Sequence, residues 1–156
     1  MTKLTSFSLI AVLGIALAGC GGSAAGSAGS SAPAGSAAAA GGGAVVGQKA
    51  PGPFTPNGSA TVTGGKADIQ ATDTLKWQPN MLTVTAGEKV TLSIKNAGAT
   101  AHNFDSPALQ VKATDVPAGK TTEVTFTAPS QAGTYQFWCS IPGHAEAGMV
   151  GEVIVK

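Results

Sequence analysis

Lys89-Val90-Thr91-Leu92-Ser93-Ile94-Lys95 is the stretch that decides the fold. Val90, Leu92 and Ile94 fall on one side of an extended chain, and Thr91 and Ser93 fall on the other. A period of two marks a strand with one dry and one wet face. Asn96-Ala97-Gly98 then supplies a turn. Upstream, 82–85 reads as a strand closed by Ala86-Gly87, and 67–73 as another. Downstream, Thr121–Thr127 pairs Val124 with Phe126, 134–138 pairs Tyr135 with Phe137, and Val150–Val155 pairs Val153 with Val155. No window sustains a helical period. Short strands this close together, within about 90 residues, predict an all-β domain over 66–156, a small Greek-key β-sandwich. A core of that size is marginal by area, so a ligand that prefers the folded state would add stability.

The segment before the domain reads differently. Residues 1–19 have Lys3 followed by an uncharged apolar stretch, ending in Leu17-Ala18-Gly19-Cys20. The apolar run is short for a membrane span, which needs roughly 20 residues. Small residues before a cysteine resemble a bacterial lipoprotein signal. That resemblance implies cleavage before Cys20, lipidation of Cys20, and an extracytoplasmic protein anchored to a membrane by acyl chains. Residues 21–43 are Gly, Ala, Ser and Pro only, with no side chains able to offset ordering entropy. Residues 44–65 add Val45, Val46 and Phe54 but are broken by Pro51, Pro53 and Pro56. The whole of 20–65 is therefore expected to be linker, its second part semi-ordered.

Charge excludes some classes. Charged residues make up 11% of the chain, and all nine basic residues are Lys. The formal net charge is +1, and removing Lys3 with the signal leaves eight Lys against eight acids. Neither a nucleic-acid footprint nor an anionic-membrane patch fits such a balance.

The chemistry collects in Trp138-Cys139-Ser140-Ile141-Pro142-Gly143-His144-Ala145-Glu146-Ala147-Gly148-Met149. A thiolate, an imidazole and a thioether are spaced Cys-x4-His-x4-Met. The only other histidine is His102, just beyond the 89–95 strand and its turn. Two His and one Cys with a weak Met form the ligand set of a type 1 copper site. Thiolate and thioether suit Cu(I), and imidazole suits both oxidation states. The expected metal ligands are His102, Cys139, His144 and Met149, holding one copper. A binuclear centre needs a second cysteine in the loop, and oxidase centres need histidines where Trp138 and Ser140 stand. Glu146 reads as a solvated loop residue, Trp138 as packing beside Cys139.

These residues resemble the cupredoxin family, plastocyanin and azurin among its members, and the loop spacing looks closest to auracyanin. The resemblance runs from about Asp68 to Lys156 and takes in Trp77-Gln78-Pro79, Val84-x-x-Gly87 and His102-Asn103. It implies that the Asn103 side chain ties the two ligand segments together, with the Ser140 backbone as its receiver. It further implies that His144 shows a ring edge at the surface, and that Ile141, Pro142, Ala145 and Ala147 surround it as an apolar docking patch. The expected function is single-electron transfer by a membrane-tethered carrier, not catalysis. The implied partners are redox proteins: a quinol-oxidising complex, a c-type cytochrome, a photosynthetic reaction centre or a terminal oxidase. A monomer is expected. Copper delivery is the competing reading, weakened by the scarcity of Met and His in the domain. A redox-copper enzyme is a third, with no spare acid–base cluster to support it.

Overall fold

A computed structural model describes residues 44–156. The expected signal peptide, Cys20 and the first part of the expected linker lie outside the described residues. The strands in chain order are β1 (Ser59–Thr61), β2 (Lys66–Thr72), β3 (Lys76–Gln78), β4 (Met81–Val84), β5 (Lys89–Asn96), β6 (His102–Ser106), β7 (Val111–Val116), β8 (Thr121–Thr127), β9 (Gly133–Trp138) and β10 (Val150–Val155). A 3-10 turn, Pro107–Leu109, joins β6 to β7. Among the described residues no helix is long and apolar enough to cross a membrane.

The strands form two sheets, ordered β1-β4-β10-β9-β6-β7 and β3-β2-β5-β8. Within the second sheet, β5 lies between β2, which it pairs in parallel, and β8, which it pairs antiparallel. In the first sheet β10 likewise joins a parallel neighbour, β4, to an antiparallel one, β9. Parallel neighbours cannot be joined by a hairpin, so the chain crosses between sheets, as a Greek-key sandwich requires.

The alternation in 89–95 does what its period dictates: Val90, Leu92 and Ile94 are fully buried between the sheets. They meet Trp77, Leu82, Phe104, Val124, Phe126, Phe137 and Val153 in one apolar core. Phe104 and Phe137 stack with centroids 4.8 Å apart, and Trp77 meets both edge-on at 6.1 and 5.9 Å. Gly151 is required by this packing. A Cβ there would enter the Phe137 ring, at 2.1 Å from its nearest atom.

Two features depart from the sequence reading. β3, β6 and β7 were not expected. β3 has three residues, β6 is made largely of polar residues, and β7 is buried only at its ends, so none shows the apolar alternation that marks a strand. The second departure shortens the expected linker. β1 pairs with β4, Val62 is buried, and 45–57 runs as a strap over the outer face of the first sheet. Val46 N–H donates to Thr134 O (2.7 Å) and Ala50 N–H to Gln136 Oε1 (2.9 Å). Asn57 N–H donates to Asn80 Oδ1 (2.6 Å), and Asn80 Nδ2 donates to Thr55 O (2.8 Å). Backbone pairing and a few apolar anchors hold a segment whose composition alone reads as semi-ordered linker. Beneath it a second cluster forms from Ala50, Phe54, Trp138, Ala145 and Val150.

Candidate metal centre

The centre sits where β6 begins and the β9–β10 loop returns. Cys139 follows β9 directly and Met149 immediately precedes β10, so the two strands, paired from Val150↔Trp138, fix both ends of the loop. Cys139 N–H donates to Met149 O at 3.1 Å and closes it. Inside the loop, His144 N–H bonds Ile141 O (3.1 Å) and Met149 N–H bonds His144 O (3.0 Å). Trp77, from the other sheet, donates its indole N–H to Met149 O at 3.2 Å.

His102, the first residue of β6, is brought to the same point by a polar clamp on the turn before it. Asn96 is fully buried; its Nδ2 donates to Thr100 O (2.8 Å) and Val116 O (2.9 Å), and its Oδ1 accepts from Gly98 N–H (3.0 Å). The Asp73 carboxylate accepts from the N–H groups of Ala99 (3.0 Å) and Thr100 (2.9 Å), which hold its pKa below the ordinary value.

Three donor atoms converge. The Nδ1 atoms of His102 and His144 lie 3.3 Å apart, and Cys139 Sγ lies 3.3 Å from His144 Nδ1. Ligand atoms of His102, Cys139 and His144 are all within 4.8 Å of one another. His102, Cys139 and Met149 are buried, while His144 is half-buried. Asn103 N–H points at Cys139 Sγ (3.4 Å), and Asn103 Oδ1 accepts from Ser140 N–H (2.7 Å) and Ser140 Oγ–H (3.2 Å). These bonds join the segment that carries His102 to the one that carries Cys139, with Ser140 as the donor and Asn103 as the acceptor.

Burial pushes the Cys139 thiol up, opposed by the Asn103 and Ile141 N–H groups, which favour the thiolate. Burial, together with the charge of His144, pushes His102 down, so its imidazole is kept neutral. His102 therefore presents a neutral nitrogen lone pair beside a thiol whose burial disfavours the thiolate. His102 Nε2 is buried without a partner, so Nδ1 is the end turned to the other donors. Two imidazoles and a thiol converging on one point fit copper, the metal of the type 1 ligand set.

The surface around His144 is apolar but smaller than expected. Ile141 is half-buried, and Pro142 and Ala147 are exposed. Ala145 is a correction: it is 1% exposed, packed with Ala50 of the strap and Trp138 of β9, and forms no part of an open patch. Glu146 is exposed, as expected. Asp73, Asn96 and the Trp77 indole carry structural roles at the centre that the sequence reading did not assign. Trp77 and Met149 are 72 positions apart, and no local pattern signals such a contact.

Comparison with known proteins agrees with this geometry. The copper-resistant cuproprotein CopI of Rubrivivax gelatinosus is 32% identical over 107 residues, 56% of this chain. The match spans 64% of that relative's own length. Plastocyanin A/B of Petroselinum crispum is 40% identical over 93 residues, 53% of this chain and 89% of that protein. The crystal structure of dithionite-reduced auracyanin from Roseiflexus castenholzii superposes with a TM-score of 0.52 at 24% identity, covering 61% of this chain and 99% of that one, a likeness of fold. The family model for the cupredoxin-like domain matches residues 56–155, so the sandwich, the converging donors and the Asn103 tie stand in a chain that belongs to the cupredoxin-like family.

Proposed function

We propose that this protein is a membrane-tethered type 1 copper protein that carries single electrons between redox partners outside the cytoplasm. The observation that carries the reading is the convergence of His102 Nδ1, His144 Nδ1 and Cys139 Sγ within 4.8 Å at one end of a β-sandwich. His102, Cys139 and His144 would hold copper, with Met149 as the weak fourth ligand. Copper bound there supplies a Cu(II)/Cu(I) couple whose potential is tuned by the axial ligand and by hydrogen bonding at the thiolate.

The chain's own residues do the rest. The bond to the Asn103 N–H and the tie from Ser140 to Asn103 Oδ1 restrain the sulfur and both ligand segments. The Trp77–Phe104–Phe137 cluster packs behind the centre, with the Trp77 ring 6.5 Å from that of His102, and excludes water from that side. Donors held this firmly move little when charge changes. Half-buried His144, with Pro142 and Ala147 exposed around it and Ile141 behind, is the face offered to a partner. A weakly charged, apolar face suits brief docking with a quinol-oxidising complex, a c-type cytochrome, a reaction centre or a terminal oxidase. Lipid on Cys20 and the Gly/Ala/Ser/Pro tether would keep the domain at high effective concentration near such a membrane complex.

Loading with Cu(II) should give an intense blue thiolate-to-copper absorption, bleached reversibly by ascorbate and lost in Cys139→Ser. A variant that stays blue without Cys139 would overturn the ligand assignment. Copper handling is the second reading, favoured by the likeness to a copper-resistance protein. It is supported instead if the loaded protein is colourless and yields its copper at once to a chelator. Cys20→Ala should leave the protein unprocessed or release it from membranes on fractionation; unchanged membrane partition of a processed chain would refute the lipid anchor.

A further inference from the structure

The strap that crosses the outer sheet face also meets the ligand loop backbone to backbone. Gly52 lies against the Ala145 carbonyl. A Cβ on Gly52 would fall 1.7 Å from Ala145 O, 2.4 Å from its carbonyl carbon and 2.9 Å from Glu146 Cα. All three are main-chain atoms, so neither side can yield by turning a side chain.

The contact matters because of where Ala145 stands. Residues 145–148 are the only chain between His144 and Met149. They form a turn in which Gly148 N–H bonds Ala145 O (2.8 Å) and Ala147 N–H bonds Gly143 O (3.1 Å). On another side Lys76 Nζ donates to Ala147 O (3.2 Å) and approaches Gly148 O (3.4 Å). Gly52 supplies the wall against Ala145 itself.

The strap is well placed to act as a wall. It is pinned before Gly52 by the Val46 and Ala50 bonds to β9, and after it by the Asn57–Asn80–Thr55 network. Pro51 and Pro53 flank Gly52, and each fixes its own φ. Phe54 packs on the cluster of Trp138, Ala145 and Val150. Trp138 and Val150 in turn flank Cys139 and Met149 in the sequence.

We infer that Gly52, held in the Ala50–Phe54 strap, is a positioning residue for the metal centre: it sets the Ala145–Gly148 turn and, through it, the separation of His144 from Met149. The inference rests on the copper reading above for its spectroscopic consequence but not for its mechanical one. A larger residue at 52 displaces the turn while the sandwich core, which Gly52 does not enter, stays intact.

The test uses the full chain carrying Gly52→Ala, with Phe54→Ala as a milder variant that loosens the strap without inserting an atom. Gln48→Ala, at an exposed strap position, is the control. In the metal-free protein, amide exchange at Ala147, Gly148 and Met149 should speed up by about tenfold in Gly52→Ala, less in Phe54→Ala, with Leu92 and Val124 unchanged. In the copper-loaded protein the relative intensities of the thiolate-to-copper bands should change in the same order, and the control should match wild type. Unchanged loop exchange in a folded Gly52→Ala protein overturns the inference. So does acceleration spread evenly over loop and core, the mark of plain destabilisation. Should Gly52→Ala not fold, Phe54→Ala decides on the same two criteria. If wild type takes up copper without turning blue, the copper reading fails while the exchange comparison still decides the strap's role.

Discussion

At the scale of single residues the chain spends stability on polar groups, and Glu152 shows the cost away from the metal. It lies on β10 under the strap and is buried; Oε1 accepts from Gln136 Nε2 at 3.2 Å, and Oε2 has no partner. Burial raises its pKa, the Gln136 bond offsetting only part. A raised carboxyl favours the folded state while protonated. That stability is fully present below the unfolded value of about 4.3 and is lost as pH rises through the folded one. Glu152→Gln should therefore stabilise the protein at neutral pH, on the order of 1 kcal/mol, by removing a buried charge with an unpaired oxygen. Its gain should vanish in acid. Denaturant melts at two pH values check this, and a variant less stable than wild type at neutral pH would show that the carboxylate has a role in the fold.

At the scale of elements, strands are set by patterning and the centre by what lies between them. β5 and β8 were legible because each alternates. β6 was not legible as a strand, since His102, Asn103 and Ser106 serve the centre and hydrogen bonds rather than strand propensity. The turn leading into it depends on Asn96. Asn96→Ala leaves Thr100 O, Val116 O and Gly98 N–H without their partner, and should cost about 1–3 kcal/mol. His102 is released with the turn, so copper affinity should fall as well. Calorimetry for the first and competition with a chelator for the second test the claim. A fall in stability with unchanged affinity would mean that β6 alone places His102.

The strap belongs to the same scale. Its Pro and Gly content read as linker because composition reports only what a segment can do by itself. Gln136, Thr134 and Asn80, all remote in sequence, supply the bonds that order it.

At the scale of the whole molecule the domain is a small sandwich whose centre links both sheets: Trp77 from one bonds the loop that closes the other. A ligand bound only by the folded state adds RT ln(1 + [L]/Kd), about 4 kcal/mol at a thousandfold excess over Kd. Copper-loaded protein should melt well above metal-free protein, and Cys139→Ser should abolish most of the difference. Equal melting temperatures with and without copper would mean that the metal does not bind the native centre.

Some of this was fixed by the order of residues alone. Alternating β-branched and aromatic runs can bury one face only as strands, which made the domain all-β. Cys-x4-His-x4-Met with one further His admits few metals, which made the centre a type 1 copper candidate. Local pattern suffices there because the chemistry lies in residue type and short spacing. Tertiary structure alone decided that Ala145 is covered, that residues 45–63 pair with or pack on the sheets, that Asp73 and Asn96 clamp the turn before His102, and that Gly52 stands against the ligand loop. Each depends on contacts between segments far apart in sequence, and such contacts leave no periodic trace in either partner.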